Sequence, residues 1–511
     1  MNNRNQLPTL TRRHVLKGTA AAAAASFWAG RGLSFAAAAT TKSATPGNQP
    51  VPTGALTQIP ITISSTATGS LPPAFVGLAY TKEKISGDFF ATSDPTLIGI
   101  FNRIGPSCLR IGGSSVDQTI WDPTGPGSQS GLVAPSDVDN LAAFLDVTKW
   151  SCIYGVNLGG AATGATNPSM AAAEVAYVAK KLGPALIGVE IGNEPDLYGR
   201  PTNPFPNGWS FDEYIALWSE FRKAIVTLTP GVPIAGPADA GNPFTWTVPF
   251  IEVAGKQKVD LVTQHYYVAN ALATNATTTE LLEVGLHKDL IEELAAIDAA
   301  CKRIGVPFRM GECGDFYNNT GTTAPVNIAG SYTASLWGLD YMFMCAQGGA
   351  AGVNFECGGD VPGYPPLLNI GQAIVSVSPL FYAMLLMTMA GTGTVLETLV
   401  SPGSLNVTGY AVKTLSGGLS VIVLNKESTA NVELQIDLPQ SVTSAKLMEM
   451  TQRSSGASGP NLLATSGVTV QGGEVLTNGA FSPAAPYQLI PDGTQVTCYV
   501  PALSAVLIQV S

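Results

Sequence analysis

Short apolar runs alternate with amphipathic segments through most of the chain. Segments 136–150, 211–228 and 286–304 repeat apolar residues at spacings of three and four, which predicts helices. The apolar runs are nearly continuous, which is typical of parallel strands that are covered on both faces. We predict eight such strands, at residues 75–80, 108–112, 152–158, 187–192, 233–236, 261–267, 308–312 and 352–355.

Eight strands separated by helical segments are typical of an α/β protein of the (β/α)8 TIM-barrel class. A doubly wound sheet is the alternative, but no glycine-rich phosphate loop follows any of the predicted strands. We therefore predict a barrel over residues 71–395.

The pattern changes near residue 396, where apolar and polar residues begin to alternate and glycine-rich turns appear. This alternation predicts a C-terminal antiparallel β-sandwich domain over residues 396–511. Residues 56–70 alternate in the same way, and we expect this N-terminal strand segment to join the sandwich. Between it and the N-terminus, residues 40–55 are rich in Thr, Ser, Pro and Gly and are predicted to be a linker.

The first 39 residues have the pattern of a cleaved export signal. Arg12 and Arg13 form a twin-arginine pair, an alanine-rich apolar run follows, and small residues at 36–39 offer a cleavage site. We expect a Tat-type signal peptide over residues 1–39 and a periplasmic or secreted protein. No later stretch approaches the ~18 apolar residues of a membrane span.

Charge and cysteine usage restrict the partners that the chain can have. The chain has 26 basic and 36 acidic residues and a net charge of -10, with no basic stripe after the leader. We therefore expect no binding of nucleic acid or membranes. The seven cysteines form no CxxC pair and the three histidines are far apart in sequence, so no metal site and no cofactor are predicted. Most of the thiols are expected to be buried.

Two glutamates end predicted strands four and seven. Glu194 follows the fourth strand in the run Glu190-Ile191-Gly192-Asn193-Glu194-Pro195-Asp196, and Glu312 ends the seventh. In a barrel both strand ends meet at the C-terminal rim, where barrel enzymes carry their chemistry. Retaining glycoside hydrolysis needs a carboxyl that protonates the leaving oxygen and a carboxylate that attacks the anomeric carbon. The pair therefore predicts a retaining glycosidase.

The chain resembles clan A, the 4/7 superfamily of retaining glycoside hydrolases, in Asn193-Glu194-Pro195 and the strand-seven Glu312. It also resembles family 79, the β-glucuronidase and heparanase group, in Leu109-Arg110-Ile111-Gly112-Gly113-Ser114-Ser115-Val116-Asp117 and in Glu190 to Asp196. This resemblance implies that Glu194 is the acid/base, that Glu312 is the nucleophile and that Asn193 binds the sugar 2-hydroxyl. It implies a small uronide or oligosaccharide substrate.

The resemblance also assigns further residues to substrate binding. Arg110 would lie near Glu312 and keep it ionised. Tyr267, in preference to Tyr266, would hydrogen-bond the nucleophile, and Tyr317 would help to bind the glucuronate carboxylate. The remaining candidates are the strand-one tyrosine Tyr80 and, after strand eight, Glu356, where many relatives have His.

Three alternatives remain open from the sequence. The first is a glucoside or xylan substrate, because Glu356 would repel a carboxylated sugar unless the Glu356 side chain turns away or binds sugar hydroxyls. A catalytically silent carbohydrate-binding barrel is the second. The heparanase branch is the third, and it is disfavoured because only Lys82, Lys84 and Arg200 offer basic side chains on the predicted cleft loops.

Overall fold

The computed structural model describes residues 47–201, 203–206, 208–255, 258–274, 276–283, 288–318, 328–358, 365–453 and 459–511. The signal peptide predicted over residues 1–39 and the first part of the predicted linker lie outside the described residues.

Before the C-terminal strands, most of the described strands and helices alternate along the chain. In chain order they are β1 (Leu56–Leu71), β2 (Val76–Thr81), α1 (Pro95–Ile104), β3 (Cys108–Gly112), β4 (Ile120–Trp121), β5 (Leu132–Val133), α2 (Pro135–Thr148), β6 (Ser151–Val156), α3 (Pro168–Leu182), β7 (Leu186–Ile191), α4 (Phe211–Leu228), β8 (Ile234–Asp239), α5 (Thr247–Ala254), β9 (Leu261–Asn270), α6 (Thr278–Leu282), α7 (Lys288–Ile304), β10 (Phe308–Tyr317), α8 (Tyr332–Gln347), β11 (Val353–Glu356), β12 (Leu367–Ile370), β13 (Ala373–Val377) and α9 (Pro379–Ala390).

Eight of these strands close into a barrel in the order β2-β3-β6-β7-β8-β9-β10-β11, and every neighbouring pair is parallel. The predicted barrel of eight strands is therefore confirmed. Strands β9 and β10 run on to Asn270 and Tyr317, beyond their predicted ends at residues 267 and 312, and remain paired there. This extension raises one side of the C-terminal rim.

The C-terminal strands complete the fold as a largely antiparallel sheet. They are β14 (Gly393–Val400), β15 (Val407–Thr414), β16 (Leu419–Asn425), β17 (Asn431–Asp437), β18 (Ala445–Gln452), β19 (Val468–Val470), β20 (Tyr487–Leu489), β21 (Gln495–Val500) and β22 (Ser504–Val510).

The predicted antiparallel domain is confirmed, and its strands form one continuous sheet. Strands follow the hydrogen-bonded order β19-β18-β22-β16-β15-β14-β1-β17-β21, with β20 beside β18. Strand β1 makes it continuous because it pairs antiparallel with β14 and parallel with β17, and it is irregular between Ile63 and Gly69. Strand β21, the last strand in this order, contacts β16 and β22 from the other part of the sheet. One apolar cluster fills the space between these two parts. The sheet therefore folds over its own core as a sandwich does.

Helices α8 and α9 lie between the barrel and the other face of this sheet. Residues Tyr332–Ala346 of α8 are all buried, and α9 is buried along almost its whole length. A helix that is apolar on every side is expected where both sides are covered by protein. Within the part of the chain that the structure describes, no helix has the length and apolar character needed to cross a membrane.

A buried polar network joins α8 to the sheet. Asp340 accepts hydrogen bonds from Lys426 Nζ at 2.6 Å, Thr408 Oγ1 at 2.7 Å and the Tyr410 hydroxyl at 2.8 Å. Both Asp340 and Lys426 are almost completely shielded from solvent. The Tyr410 ring also stacks on Phe343 of α8, with centroids 4.2 Å apart. The interface thus depends on a satisfied charge pair as well as on apolar packing.

Replacing Asp340 by Ala is expected to lower the apparent free energy of unfolding by about 3–5 kcal/mol, because Lys426 would stay buried without its counter-ion. The midpoint of urea unfolding measures this. The matched control is Asp146→Ala, which removes the partner of the exposed Lys149 and should cost less than about 1 kcal/mol. Equal midpoints for the two variants would contradict the role given to Asp340.

Candidate active site

Glu194 is held at the barrel rim by an unusual backbone conformation. Strand β7 ends at Ile191, and Glu194 adopts φ 50° and ψ 54°, in the left-handed region that side chains other than Gly seldom occupy. Its N–H donates to the Ala238 carbonyl at 2.9 Å, and its carbonyl accepts from the Leu197 N–H at 2.9 Å. The turn is therefore fixed to β8 and closed on itself, which sets the direction of the carboxyl group.

A change of register directs Glu312 into the barrel. In the pairing of β10 with β9, Met310 lies opposite Gln264, but Glu312 lies opposite His265, so β10 has one extra residue. Such bulges re-aim side chains and are frequent beside active sites. Because paired residues on adjacent strands point to the same side, Glu312 and His265 face the same interior space.

Arg110 connects the predicted catalytic residues. Its side chain is fully buried, and it donates from Nε to Glu190 at 2.7 Å, from Nη1 to Glu312 at 2.9 Å and from Nη2 to Asn193 Oδ1 at 2.8 Å. Burial would lower the pKa of Arg110, but the carboxylates of Glu190 and Glu312 outweigh it and raise that pKa. The expected proximity of Arg110 and Glu312 is thus present, and Glu190 is a partner that the sequence did not reveal.

The second oxygen of Glu312 is bound by Tyr267, whose hydroxyl donates to Oε1 at 2.9 Å. The neighbouring Tyr266 instead stacks on Tyr341 of α8, with centroids 5.5 Å apart, and so packs outside the barrel. Tyr317 lies at the rim, 37% exposed, with its ring edge-on to Tyr267 at 5.9 Å. Tyr317 is therefore partly exposed beside the tyrosine that binds Glu312.

His265 belongs to the site although it was not predicted. Its Nδ1 lies 3.3 Å from Glu194 Oε1 and 4.0 Å from Glu312 Oε2, between the two glutamates. Burial, and next the charge of Arg110, lower the pKa of His265 to about 4, so the ring is neutral near pH 7. The available signal was strand alternation, which places His265 on the same face as Tyr267 two residues later.

Three potential metal ligands meet at this point. One ligand atom each from Glu194, His265 and Glu312 lie within 4.8 Å of one another. Carboxylates with a neutral imidazole are donors that a divalent cation accepts. However, Arg110 donates to Glu312 at 2.9 Å, and its fixed positive charge opposes a cation in the same space. The donor set therefore fits a metal poorly.

Glu356 ends strand β11 inside the barrel, and it is 5% exposed. It pairs with Ala79 of β2, which in turn pairs with Arg110, so all three side chains face the interior at one level. Oε1 accepts from the Gly358 N–H at 2.6 Å, and Oε2 has no hydrogen-bond partner among the described residues. Burial, and next the charge of Glu312, raise the pKa of Glu356 well above its usual value.

Tyr80 does not join these residues. It is buried against Phe89, Phe90 and Phe101, with ring centroids 5.2, 5.6 and 6.3 Å away, in the layer between β2 and the helices. Since side chains alternate along a strand, the neighbour Ala79 takes the interior position instead. The predicted substrate contact of Tyr80 is corrected accordingly.

The buried carboxyl group of Asp117 holds the loops around Asn193 in place. Asp117 accepts from the backbone N–H groups of Leu158 and Gly159 and from the Tyr198 hydroxyl, the last at 2.6 Å. The Tyr198 oxygen in turn accepts from the Asn193 N–H at 3.2 Å. Burial raises the pKa of Asp117 to about 6. The loops that follow β3, β6 and β7 are thereby tied together behind Asn193.

Comparisons with known proteins agree with a carbohydrate-active site. No family model matches the chain. The chain is 25% identical over 273 residues to a β-glucuronidase of Aspergillus niger, a match that covers 47% of this chain and 48% of that protein. The matched segment thus spans about half the length of that curated relative.

Solved structures share the fold over nearly the whole chain. A 4-O-α-L-rhamnosyl-β-D-glucuronidase from Fusarium oxysporum 12S superposes with a TM-score of 0.71 at 17% identity, covering 88% of this chain and 100% of that one. A GH51 arabinofuranosidase from Xanthomonas axonopodis pv. citri superposes with a TM-score of 0.65 at 14% identity, covering 89% and 100%. The sequence match and these fold matches together support a glycoside hydrolase.

Proposed function

We propose that the chain is an exported retaining β-glycosidase that hydrolyses β-D-glucuronides, with Glu312 as nucleophile and Glu194 as acid/base. The observation that carries the mechanism is that an oxygen of each carboxyl group lies within 4.8 Å of the other. Retaining enzymes hold their two carboxyl groups about 5–5.5 Å apart, whereas inverting enzymes need about 6.5–9.5 Å for a water molecule. Export rests on the twin-arginine pair Arg12-Arg13.

The hydrogen bonds around the pair suit double displacement. Arg110 and Tyr267 each donate to one oxygen of Glu312, so the carboxylate is oriented before the sugar binds. Glu312 forms a bond to the anomeric carbon as the glycosidic C–O bond breaks, and Glu194 gives its proton to the leaving oxygen. In the second step Glu194 takes a proton from water, whose oxygen attacks the same carbon and releases Glu312.

Asn193 is set to bind the sugar beside the anomeric carbon. Its Oδ1 accepts from Arg110, which directs the amide NH2 away from the guanidinium. That NH2 can donate to the 2-hydroxyl, a contact that strengthens as positive charge develops on the ring.

A small uronide is supported over a sulfated polymer. Lys82 is completely buried and ion-paired with Glu174 at 2.6 Å, and Lys84 is only 9% exposed and donates to the Gly371 carbonyl. Neither therefore presents a cation to a polyanion. The partial sequence match to a β-glucuronidase favours glucuronide.

A neutral glucoside or xyloside is the second candidate substrate. The observation that favours it is that Arg110 is completely buried and already donates to Glu190, Glu312 and Asn193, so its guanidinium is not exposed to a uronate carboxylate.

The first prediction is that the purified protein hydrolyses 4-nitrophenyl β-D-glucuronide and that Glu312→Ala reduces the rate to background. Release of 4-nitrophenol measures both. Glu220→Ala, on the exposed face of α4, is the matched control and should keep full activity. Cleavage of the glucoside or xyloside in place of the glucuronide would keep the mechanism and replace the substrate. Inactivity with clear sugar binding would favour the silent barrel.

The two glutamates should respond differently to the leaving group. Glu312→Ala is expected to fail on every substrate, since no other group attacks the anomeric carbon. Glu194→Ala should retain glycosylation of 2,4-dinitrophenyl glycosides far better than of phenyl glycosides, because a good leaving group hardly needs a proton. Burst kinetics on both substrates measure this, and identical behaviour of the two variants would refute the assigned roles.

Retention has a direct stereochemical readout. Proton NMR during hydrolysis of the glucuronide should show the β anomer of the product first, with the α anomer appearing only through mutarotation, because two displacements restore the configuration. First appearance of the α anomer would show inversion and would require a water molecule between Glu194 and Glu312.

A further inference from the structure

Glu356 is a buried carboxyl group that the double displacement does not use. It lies next to Glu312 in the barrel, since β11 is the neighbour of β10. One of its oxygens is engaged by the Gly358 N–H, and the other, Oε2, is buried without a partner in the described part of the chain. A buried polar atom without a partner is costly, so such an atom beside the proposed nucleophile calls for a ligand.

The same contacts decide which oxygen carries a proton. Oε1 accepts from an N–H, so it must present a lone pair. Glu312 is a like-charged neighbour, and the guanidinium of Arg110 already donates to Glu190, Glu312 and Asn193. Burial beside a carboxylate without a cation of its own favours the neutral acid. The hydroxyl hydrogen then belongs on Oε2.

The barrel order places Glu356 across from Glu194. Going around the barrel, β11 is four strands away from β7, the strand that Glu194 follows. With the anomeric carbon between Glu194 and Glu312, the far end of the sugar ring would lie on the Glu356 side. That end of a glucuronide carries the C5 carboxylate, an acceptor with no hydrogen to donate.

We propose that Glu356 determines specificity for uronates by acting as a neutral acid whose Oε2–H donates to the C5 carboxylate of the substrate. The contact rests on the proposed glycosidase function of Glu194 and Glu312. It reverses the expectation that a glutamate here repels a carboxylated sugar, because a neutral carboxyl donates where a carboxylate repels. A hydrogen bond to a charged acceptor is also stronger than one to a sugar hydroxyl, which gives the preference for uronates.

The test compares Glu356→Gln and Glu356→Leu on 4-nitrophenyl β-D-glucuronide and 4-nitrophenyl β-D-glucoside. The glutamine amide keeps a carbonyl for the Gly358 N–H and an NH2 donor in place of Oε2–H, so Glu356→Gln should keep kcat/KM on the glucuronide within about threefold. Glu356→Leu should lose about 10- to 100-fold on the glucuronide, mainly through KM, and change little on the glucoside.

Several outcomes would overturn the proposal. If Glu356→Gln is as impaired as Glu356→Leu, then the group acts as an ion. If Glu356→Leu lowers both substrates equally, then the contact is structural or involves a hydroxyl that both sugars share. Isothermal titration of each variant with D-glucuronate and D-glucose gives a readout that is independent of turnover, and only glucuronate binding should weaken in Glu356→Leu.

Failure of the underlying function looks different. A wild-type protein that cleaves the glucoside and neither cleaves nor binds the glucuronide overturns the uronide substrate and this contact together. A wild-type protein that cleaves the glucuronide, with a Glu356→Leu variant that keeps its preference and folds normally by near-ultraviolet circular dichroism, overturns this contact alone.

Discussion

The buried guanidinium of Arg110 is the interaction on which the site depends. Placing a cation inside a barrel is expensive unless its charge and its N–H groups are all matched. Here Glu190 and Glu312 supply the charge and Asn193 a third acceptor, so one side chain from β3 fixes groups from β7, from the loop after it and from β10. The local sequence makes room for it, because a Cβ at Gly112 would overlap the guanidinium. Removing any partner would therefore disturb the others.

Two different backbone devices bring the glutamates together at this cation. Glu194 depends on a left-handed residue fastened to β8, whereas Glu312 depends on an extra residue in β10 that shifts its register against β9. The first lies directly after β7 and the second within β10, and neither is in a long loop, so the rigid strands determine the separation of the carboxyl groups. The proposed two-step displacement requires such fixed separation, since the proposed nucleophile and acid must serve the same carbon in both steps.

The sequence was sufficient for the strands but not for the direction of their side chains. Eight apolar runs predict the barrel because parallel strands are covered on both faces, but for the same reason they carry no alternation to show which residues face inward. Tyr80, which the resemblance assigned to the cleft, faces the helices, while His265 was overlooked. The resemblance to clan A and family 79 supplied Arg110 and Tyr267, whose bonds to Glu312 the structure contains. The bulge in β10 and the continuity of the C-terminal sheet through β1 depend on pairing between distant segments, which local patterns do not record.

The site contains more acidic than basic side chains, and this excess determines which of them can be charged. Four carboxyl groups, those of Glu190, Glu194, Glu312 and Glu356, surround the single guanidinium of Arg110, and the imidazole of His265 is kept neutral by burial and by that guanidinium. Like charges this close cannot all be present in a low-dielectric interior. The excess is relieved at Glu356, which no cation contacts among the described residues, and by the proton that the proposed acid Glu194 carries. Arg110 is thus left to the proposed nucleophile. A site arranged in this way can admit a further negative charge on its substrate, because the group that meets it is a hydrogen-bond donor and not an anion.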